Sequence, residues 1–276
     1  MRVHLAGRLG NQLFSWAFAH HLLQNGNQVS LAYSGVKPEI YSLLGECKHV
    51  PIRATAAALR FKLNLFIHLI GIFPRHKKVI SQKFNICAEP DLFDISNSRD
   101  YLGYFQMFKY LESIEDKVFD ELYSALQNIK LPDKFRKWQI TENYQCLHIR
   151  RGDYLLPENV GYGLLSADWY SKLYQADMPT VIVTDDLVGS SKILETFSDC
   201  LVLGPQEANV FQALAIMANS SNFIAANSTL SWWGGFLVNK RGYSVAYPFS
   251  GTENHRNLNY PKFNLSRAIY DERGTS

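Results

Sequence analysis

Cysteine is scarce in this chain and poorly placed for chemistry. The four that occur, Cys47, Cys87, Cys146 and Cys200, are far apart and form no CxxC pair. That spacing excludes a zinc ribbon and argues against a disulfide scaffold, so reduced and mostly buried thiols are expected. Long apolar runs are missing too. None approaches the roughly eighteen residues that a spanning helix needs, and the opening stretch MRVHLAGRLGNQLF has no apolar h-region of a secretory signal. Its three sequons, at Asn219, Asn227 and Asn264, then read as accidental. Nor is there an excess of one charge: 28 Lys and Arg against 25 Asp and Glu leave a net +3. No whole-molecule field calls for nucleic acid, and any basic function must be local.

What the chain does have is core material. At 276 residues, 47% apolar and 19% charged, it can bury one large core or two moderate ones. The second half alternates strand and helix: YQCLHIR (144–150), SADWYSKLYQ (166–175, with Ser166 as N-cap), TVIVTDD (180–186), SSKILETF (190–197), CLVLG, NVFQALAIMAN, NFIAAN, STLSWWGGFLVNK and YSVAYP. Repeated β–α alternation with β-branched strand cores predicts a parallel sheet covered by helices. The first half opens on strand RVHLA and a glycine turn. A helix from Asn11 to about Gln24 follows, then strand QVSLAY, strand DYLGYFQ (100–106) and a helical stretch 108–129. KLPDKF (130–135) reads as a linker, giving domains 1–135 and 136–276. The expected fold is α/β, with two Rossmann-like domains facing a central cleft and ligands beyond the carboxyl ends of the strands.

Four segments put polar residues where a strand ends: GRLGNQLF (7–14), HIRRGDY (148–154), VTDD (183–186) and NSTLSWWGG (227–235). Alternation along a strand puts His148 and Arg150 on one face and turns Arg151 away. Arginine suits bidentate contact with phosphate oxygens, so Arg150 is placed to hold an anionic group. Arg151 is expected to pair with a carboxylate, Asp153 being the nearest. In GRLGNQLF, Gly7 and Gly10 lack the GxGxxG spacing, and the segment reads as a tight turn opening a helix whose free N–H groups favour anions. Asp185 and Asp186 are adjacent without a DxD spacing, so one metal site using both is not expected. Either could accept from a guanine edge or a ribose hydroxyl, and Asp186 could equally cap a helix. Asn227, Ser228 and Thr229 resemble a cap, and hydroxyls at a helix N-terminus suit phosphate. At least one of Trp232 and Trp233 belongs to the core.

Taken together, HIRRGDY, GRLGNQLF and NSTLSWWGG resemble the alpha-1,2-fucosyltransferases of glycosyltransferase family 11, and more distantly the alpha-1,6- and protein O-fucosyltransferases. The resemblance runs from Val3 to about Pro248. It implies a GT-B-like fold, GDP-L-fucose as donor, a galactose-terminated oligosaccharide or lipid-linked glycan as acceptor, inversion at the anomeric carbon, and no obligatory metal or other cofactor. Carried over by position, Arg150 would grip the donor β-phosphate, and His148 with one of Asp185 or Asp186 would face the guanine or ribose. Ser228 and Thr229, next to Asn227, would meet the pyrophosphate. Asn11, beside Gly10 and just past the first turn, would sit near the fucose.

The residues agree with that chemistry. Breaking a fucosyl–phosphate bond builds negative charge on the departing nucleotide, and a fixed guanidinium there gains value as the charge grows. The base that takes the acceptor proton stays open: Asp153 is the nearest carboxylate, with His20 and His21 behind it. Residues 56–79, AAALRFKLNLFIHLIGIFPRHKKV, read as a core helix with a basic loop after Pro74; peripheral contact with an anionic membrane is the alternative. The corresponding location is the bacterial cytoplasm, at or near the inner face of the plasma membrane. The rival functions are a metal-dependent glycosyltransferase using VTDD and a non-catalytic nucleotide-sugar or glycan-binding module.

Overall fold

The strands are only three to six residues long, and those over Gln145–Ile149 and Thr180–Thr184 are buried at every position, so both faces of the sheet must be covered, and helices supply that cover. The computed structural model describes residues 1–33, 38–45, 50–54, 79–81, 100–139, 143–249 and 263–271. It divides into two compact units, Met1–Glu121 and Leu122–Ser276. The division falls inside a helix, where the sequence reading set it near residue 135.

The first unit contains β1 (Arg2–His4), α1 (Leu9–Gln24), β2 (Ser30–Tyr33), α2 (Glu39–Leu44), β3 (Ile52–Ala54), β4 (Val79–Ser81) and β5 (Asp100–Leu102). Its sheet runs β3-β2-β1-β5-β4 with every pair parallel. Val3 pairs with Leu31 and Tyr101 in the middle of the sheet, and all three are fully buried. α1 buries Leu9, Leu13, Phe14, Trp16 and Phe18. The Phe18 ring stacks on Phe105 at 4.2 Å and meets Tyr101 edge-on. Gly7 makes the turn into α1 at φ +71°, where a Cβ would come within 2.5 Å of Asn11 Nδ2.

Between Phe108 and Gln127 the expected single helix is broken. A 3-10 turn, Phe108–Tyr110, precedes α3 (Glu115–Gln127). The expected linker is structured as well: Asp133–Lys137 forms α4. Phe135 is buried with its ring 5.6 Å from Tyr144, and Lys134 donates to the Val202 carbonyl.

The second unit holds β6 (Gln145–Ile149), α5 (Ala167–Leu173), β7 (Thr180–Thr184), α6 (Ser191–Leu194), β8 (Leu201–Leu203), α7 (Val210–Asn219), β9 (Asn222–Ile224), α8 (Thr229–Lys240), β10 (Ser244–Phe249) and β11 (Asn264–Arg267). The sheet order is β11-β10-β9-β6-β7-β8, again all parallel. Counted within the unit this is the 3-2-1-4-5-6 order of a doubly wound fold, so two Rossmann-like α/β units are present. Ser166 caps α5 as expected, and α7 adds a capping box between Asn209 and Gln212. Trp232 and Trp233 are both core, fully buried and edge-to-face at 5.1 Å. Burying one such ring contributes on the order of 4–6 kcal/mol. α8 lies close to α7 at Gly234, where a Cβ would stand 3.0 Å from Met217 Cβ.

Residues 56–78 lie outside the described residues, as do Cys47 and Cys87, while Val79 opens β4. Of the other cysteines, Cys146 is buried and Cys200 partly so, both as free thiols. Among the described residues no helix is long and apolar enough to cross a membrane.

Candidate active site

In the second sheet the chain steps from β6 outward to β7 and β8, then returns to place β9 on the other side of β6. That reversal opens a crevice at the carboxyl ends of β6 and β9, where parallel sheets bind ligands. Three of the four polar segments leave the sheet there: residues 150–154 after β6, 185–189 after β7 and 225–228 after β9.

Arg150 is the first residue past β6, and its side chain is 15% exposed. Nη2 donates to Asp153, Nη1 lies 2.6 Å from Asp185 Oδ2, and the guanidinium sits 5.2 Å from the centroid of the Tyr154 ring. With Nη2 donating to Asp153 and Nη1 ion-paired with Asp185, other donors of the five-donor fork remain for a ligand. Asp185 uses its second oxygen to accept the Arg151 backbone N–H at 2.8 Å. A Cβ at Gly152 would collide with that carboxylate and displace it.

The expected Arg151–Asp153 pair does not form. The 3-10 turn Gly152–Leu155 brings Asp153 back under Arg150, three residues earlier. Arg151 turns into the protein, where its Nη2 lies 2.6 Å from Asp271 Oδ2 and donates to the Leu165 carbonyl at 3.0 Å.

His148 lies beneath the crevice, 3% exposed. Its Nδ1 is bonded to the Ser231 hydroxyl, which also accepts the Ala226 N–H at 2.9 Å. Burial, reinforced by the Arg150 charge, lowers its pKa from 6.5 to about 3, so the ring is neutral. Its backbone carbonyl takes the Tyr170 hydroxyl.

Asp186 accepts from the Gly189 N–H and so closes the turn before α6, whose N-cap is Ser190. Asn227 is committed to the neighbouring loop, donating to the carbonyls of Tyr162 and Gly163. Ser228 is the N-cap of α8, accepting from Ser231 N–H. The N–H groups of Thr229 and Leu230 remain at the positive end of the helix. Tyr154 ties the crevice together: its hydroxyl donates to the Asn227 carbonyl at 3.1 Å and its ring stacks on Tyr162. That burial raises the phenol pKa, so it acts as a donor. Tyr154, Ser231 and Asp271 had no role in the sequence reading. Tyr154 at least stood inside the HIRRGDY motif.

The fourth segment, GRLGNQLF, belongs to the first unit. Its helix begins at Leu9, not Asn11, so Gly10 is buried in the first turn. The expected free N-terminus is occupied: Leu9 N–H donates to Glu39, and Gln12 links the Gly7 carbonyl to the Ile40 N–H. Asn11 Oδ1 accepts from Gln106 at 2.8 Å, joining the turns after β1 and β5. His20 is buried in α1 beside Glu121.

A cation after β6 and a capped helix N-terminus after β9, at the switch point of a doubly wound sheet, are groups that suit an anionic ligand. The comparison with known families narrows this. The model of glycosyl transferase family 11 matches residues 2–260, and the chain belongs to that family; it is a glycosyltransferase. It is 26% identical to the O-antigen biosynthesis glycosyltransferase WbnK of Escherichia coli, over 84% of this chain and 88% of the relative. An alpha-1,2-colitosyltransferase of Escherichia coli is also 26% identical, over 85% and 86%. Among solved structures, the glycosyl transferase family 9 protein of Veillonella parvula aligns at a TM-score of 0.48 with 11% identity, over 95% of this chain and 81% of its own.

Proposed function

We propose that this glycosyltransferase moves L-fucose from GDP-L-fucose to the 2-hydroxyl of a terminal β-galactoside, with inversion, in the synthesis of an O-antigen or a related surface glycan. The observation that carries the reading is Arg150, pinned at the end of β6 by Asp153 and Asp185 and lying over Tyr154, whose hydroxyl bonds the Asn227 carbonyl just ahead of α8. The acceptor oxygen attacks the anomeric carbon as the bond to the β-phosphate oxygen breaks, and the departing GDP keeps the electron pair. Arg150 meets the growing phosphate charge. Thr229 and Leu230 N–H groups receive the other phosphate oxygens, with Ser228 setting the start of the helix. These groups are fixed before reaction, so little reorganisation is needed as charge develops.

Phosphate arriving at Arg150 competes with Asp153, the more exposed of its two partners. In this reading Asp153 is released towards the acceptor and takes its proton. The oxocarbenium character of the sugar lowers the demand on that base. His148 supports the crevice from beneath through Ser231, and Asp185 orients Arg150. This reading assigns no step to a metal; it is supported by Asp185, engaged through both oxygens, and by Asp186, which closes its own turn. Asn11 and Gly10 are assigned in this reading to the donor, Asn11 near the fucose, and the cytoplasmic face of the membrane is the corresponding place of work.

A colitosyl donor is the second reading, since the colitosyltransferase matches as much of the chain. Purified protein offered GDP-fucose and GDP-colitose with galactoside acceptors decides between them, the linkage being read by mass spectrometry and NMR. The expected result is an alpha-1,2-fucosylated galactoside, with turnover unaffected by EDTA. Absence of any GDP-dependent rise in melting temperature would overturn the reading.

A further inference from the structure

The segment that follows β11, residues 268–271, lies against the loop that carries Arg150 and Tyr154. Ser166 N–H donates to the Ile269 carbonyl at 2.9 Å, and Asp271 N–H donates to Leu164 at 2.7 Å. Leu165 and Tyr270 form an antiparallel bridge. Gly163, at φ +69°, lies so close to Tyr270 that a Cβ would come within 2.7 Å of the ring. From this strap the Asp271 carboxylate reaches Arg151, which is 5% exposed. The Arg151 backbone N–H in turn is held by the carboxylate that holds the Arg150 guanidinium. A continuous path therefore runs from Asp271 through Arg151 and Asp185 to Arg150.

We infer that Asp271 is a positioning residue for donor cleavage: it anchors Arg151 and thereby fixes the backbone from which Arg150 projects. The inference rests on the assignment of Arg150 to the donor phosphate. Arg151 is an anchor here and not a ligand, because its side chain is directed into the protein, onto Asp271 and the Leu165 carbonyl. Removing the Asp271 charge leaves the arginine without its ionic partner and free to shift, and a displacement of about 1 Å at a catalytic group costs on the order of 100-fold in rate.

The test compares wild type, Asp271→Asn, Asp271→Glu and Arg151→Lys in the full chain, measuring GDP affinity by calorimetry, steady-state kinetics for donor and acceptor, and melting temperature. In Asp271→Asn, kcat/KM for the donor is expected to fall about 10- to 100-fold, with the acceptor KM unchanged. GDP binding weakens in the same variant. Asp271→Glu restores most of the loss, and Arg151→Lys, which keeps charge without the planar fork, falls between. Unchanged donor kinetics in a folded Asp271→Asn would overturn the inference. So would loss of activity that tracks melting temperature across all three variants without rescue by glutamate. If wild type itself bound no GDP, the assignment of Arg150 would fail first, and the two failures are thereby distinguished.

Discussion

Asp185 reaches from the end of β7 to Arg150 at the end of β6, its Oδ2 lying 2.6 Å from Nη1, while its other oxygen holds the next residue's N–H. One carboxylate thus sets both the head of the arginine and the backbone beside it. The rate of donor cleavage should depend on this arrangement more than protein stability does.

Arg150→Ala is expected to lower turnover by about 10²–10³, the cost of losing one preorganised group at a developing charge. Arg150→Lys keeps the charge but loses the fork, and recovers only part of it. Kinetics with saturating acceptor measure this, and circular dichroism shows that the fold is kept. Asp153→Asn removes one of the two carboxylates paired with Arg150, and as base its loss lowers kcat by about 10²–10⁴.

Gly152→Ala puts a methyl group into the Asp185 carboxylate. The carboxylate must move, and Arg150 moves with it. Donor kcat/KM should fall about 10- to 100-fold, as for other small displacements of a catalytic group. A drop in acceptor affinity alone would point elsewhere.

Ser231→Ala removes the partner of two buried groups, the His148 ring and the Ala226 N–H. Leaving both unsatisfied costs about 2–4 kcal/mol, to be read as a lower urea midpoint at constant slope.

His148 produces a pH dependence of stability with a definite sign. In the folded chain its pKa lies near 3, and in the unfolded chain near 6.5. As pH falls below 6.5 the unfolded state gains a proton that the folded state does not, so stability declines towards pH 3, by up to about 1.4 kcal/mol per unit. Above 6.5 the group adds no slope. His148→Asn should flatten the acid limb of a stability–pH curve, whatever its effect at pH 7. An unaltered limb would show that the ring is already protonated in the folded state.

Much of the second unit was legible because its signals are local. Ser166 caps the helix that follows it, β6 and β7 have apolar centres and are buried throughout, and Arg150 falls where the strand ends. What escaped was non-local. Strands β3, β4 and β11 are three or four residues long and exist only by pairing with distant neighbours. The switch point is a property of strand order, which periodicity does not carry. Arg151 was matched to Asp153 by proximity in sequence, but a 3-10 turn gave that carboxylate to Arg150 and left Arg151 to Asp271, far along the chain. The N-terminus of α1 looked open to an anion because its occupant, Glu39, lies thirty residues later.

The most direct test of the account is a crystal structure with GDP bound. The Arg150 guanidinium should lie within hydrogen-bonding distance of the β-phosphate oxygens, about 2.7–3.0 Å, with Asp185 still behind it and the α8 N-terminus on the same pyrophosphate. A nucleotide seated elsewhere, with Arg150 left between Asp153 and Asp185, would contradict it.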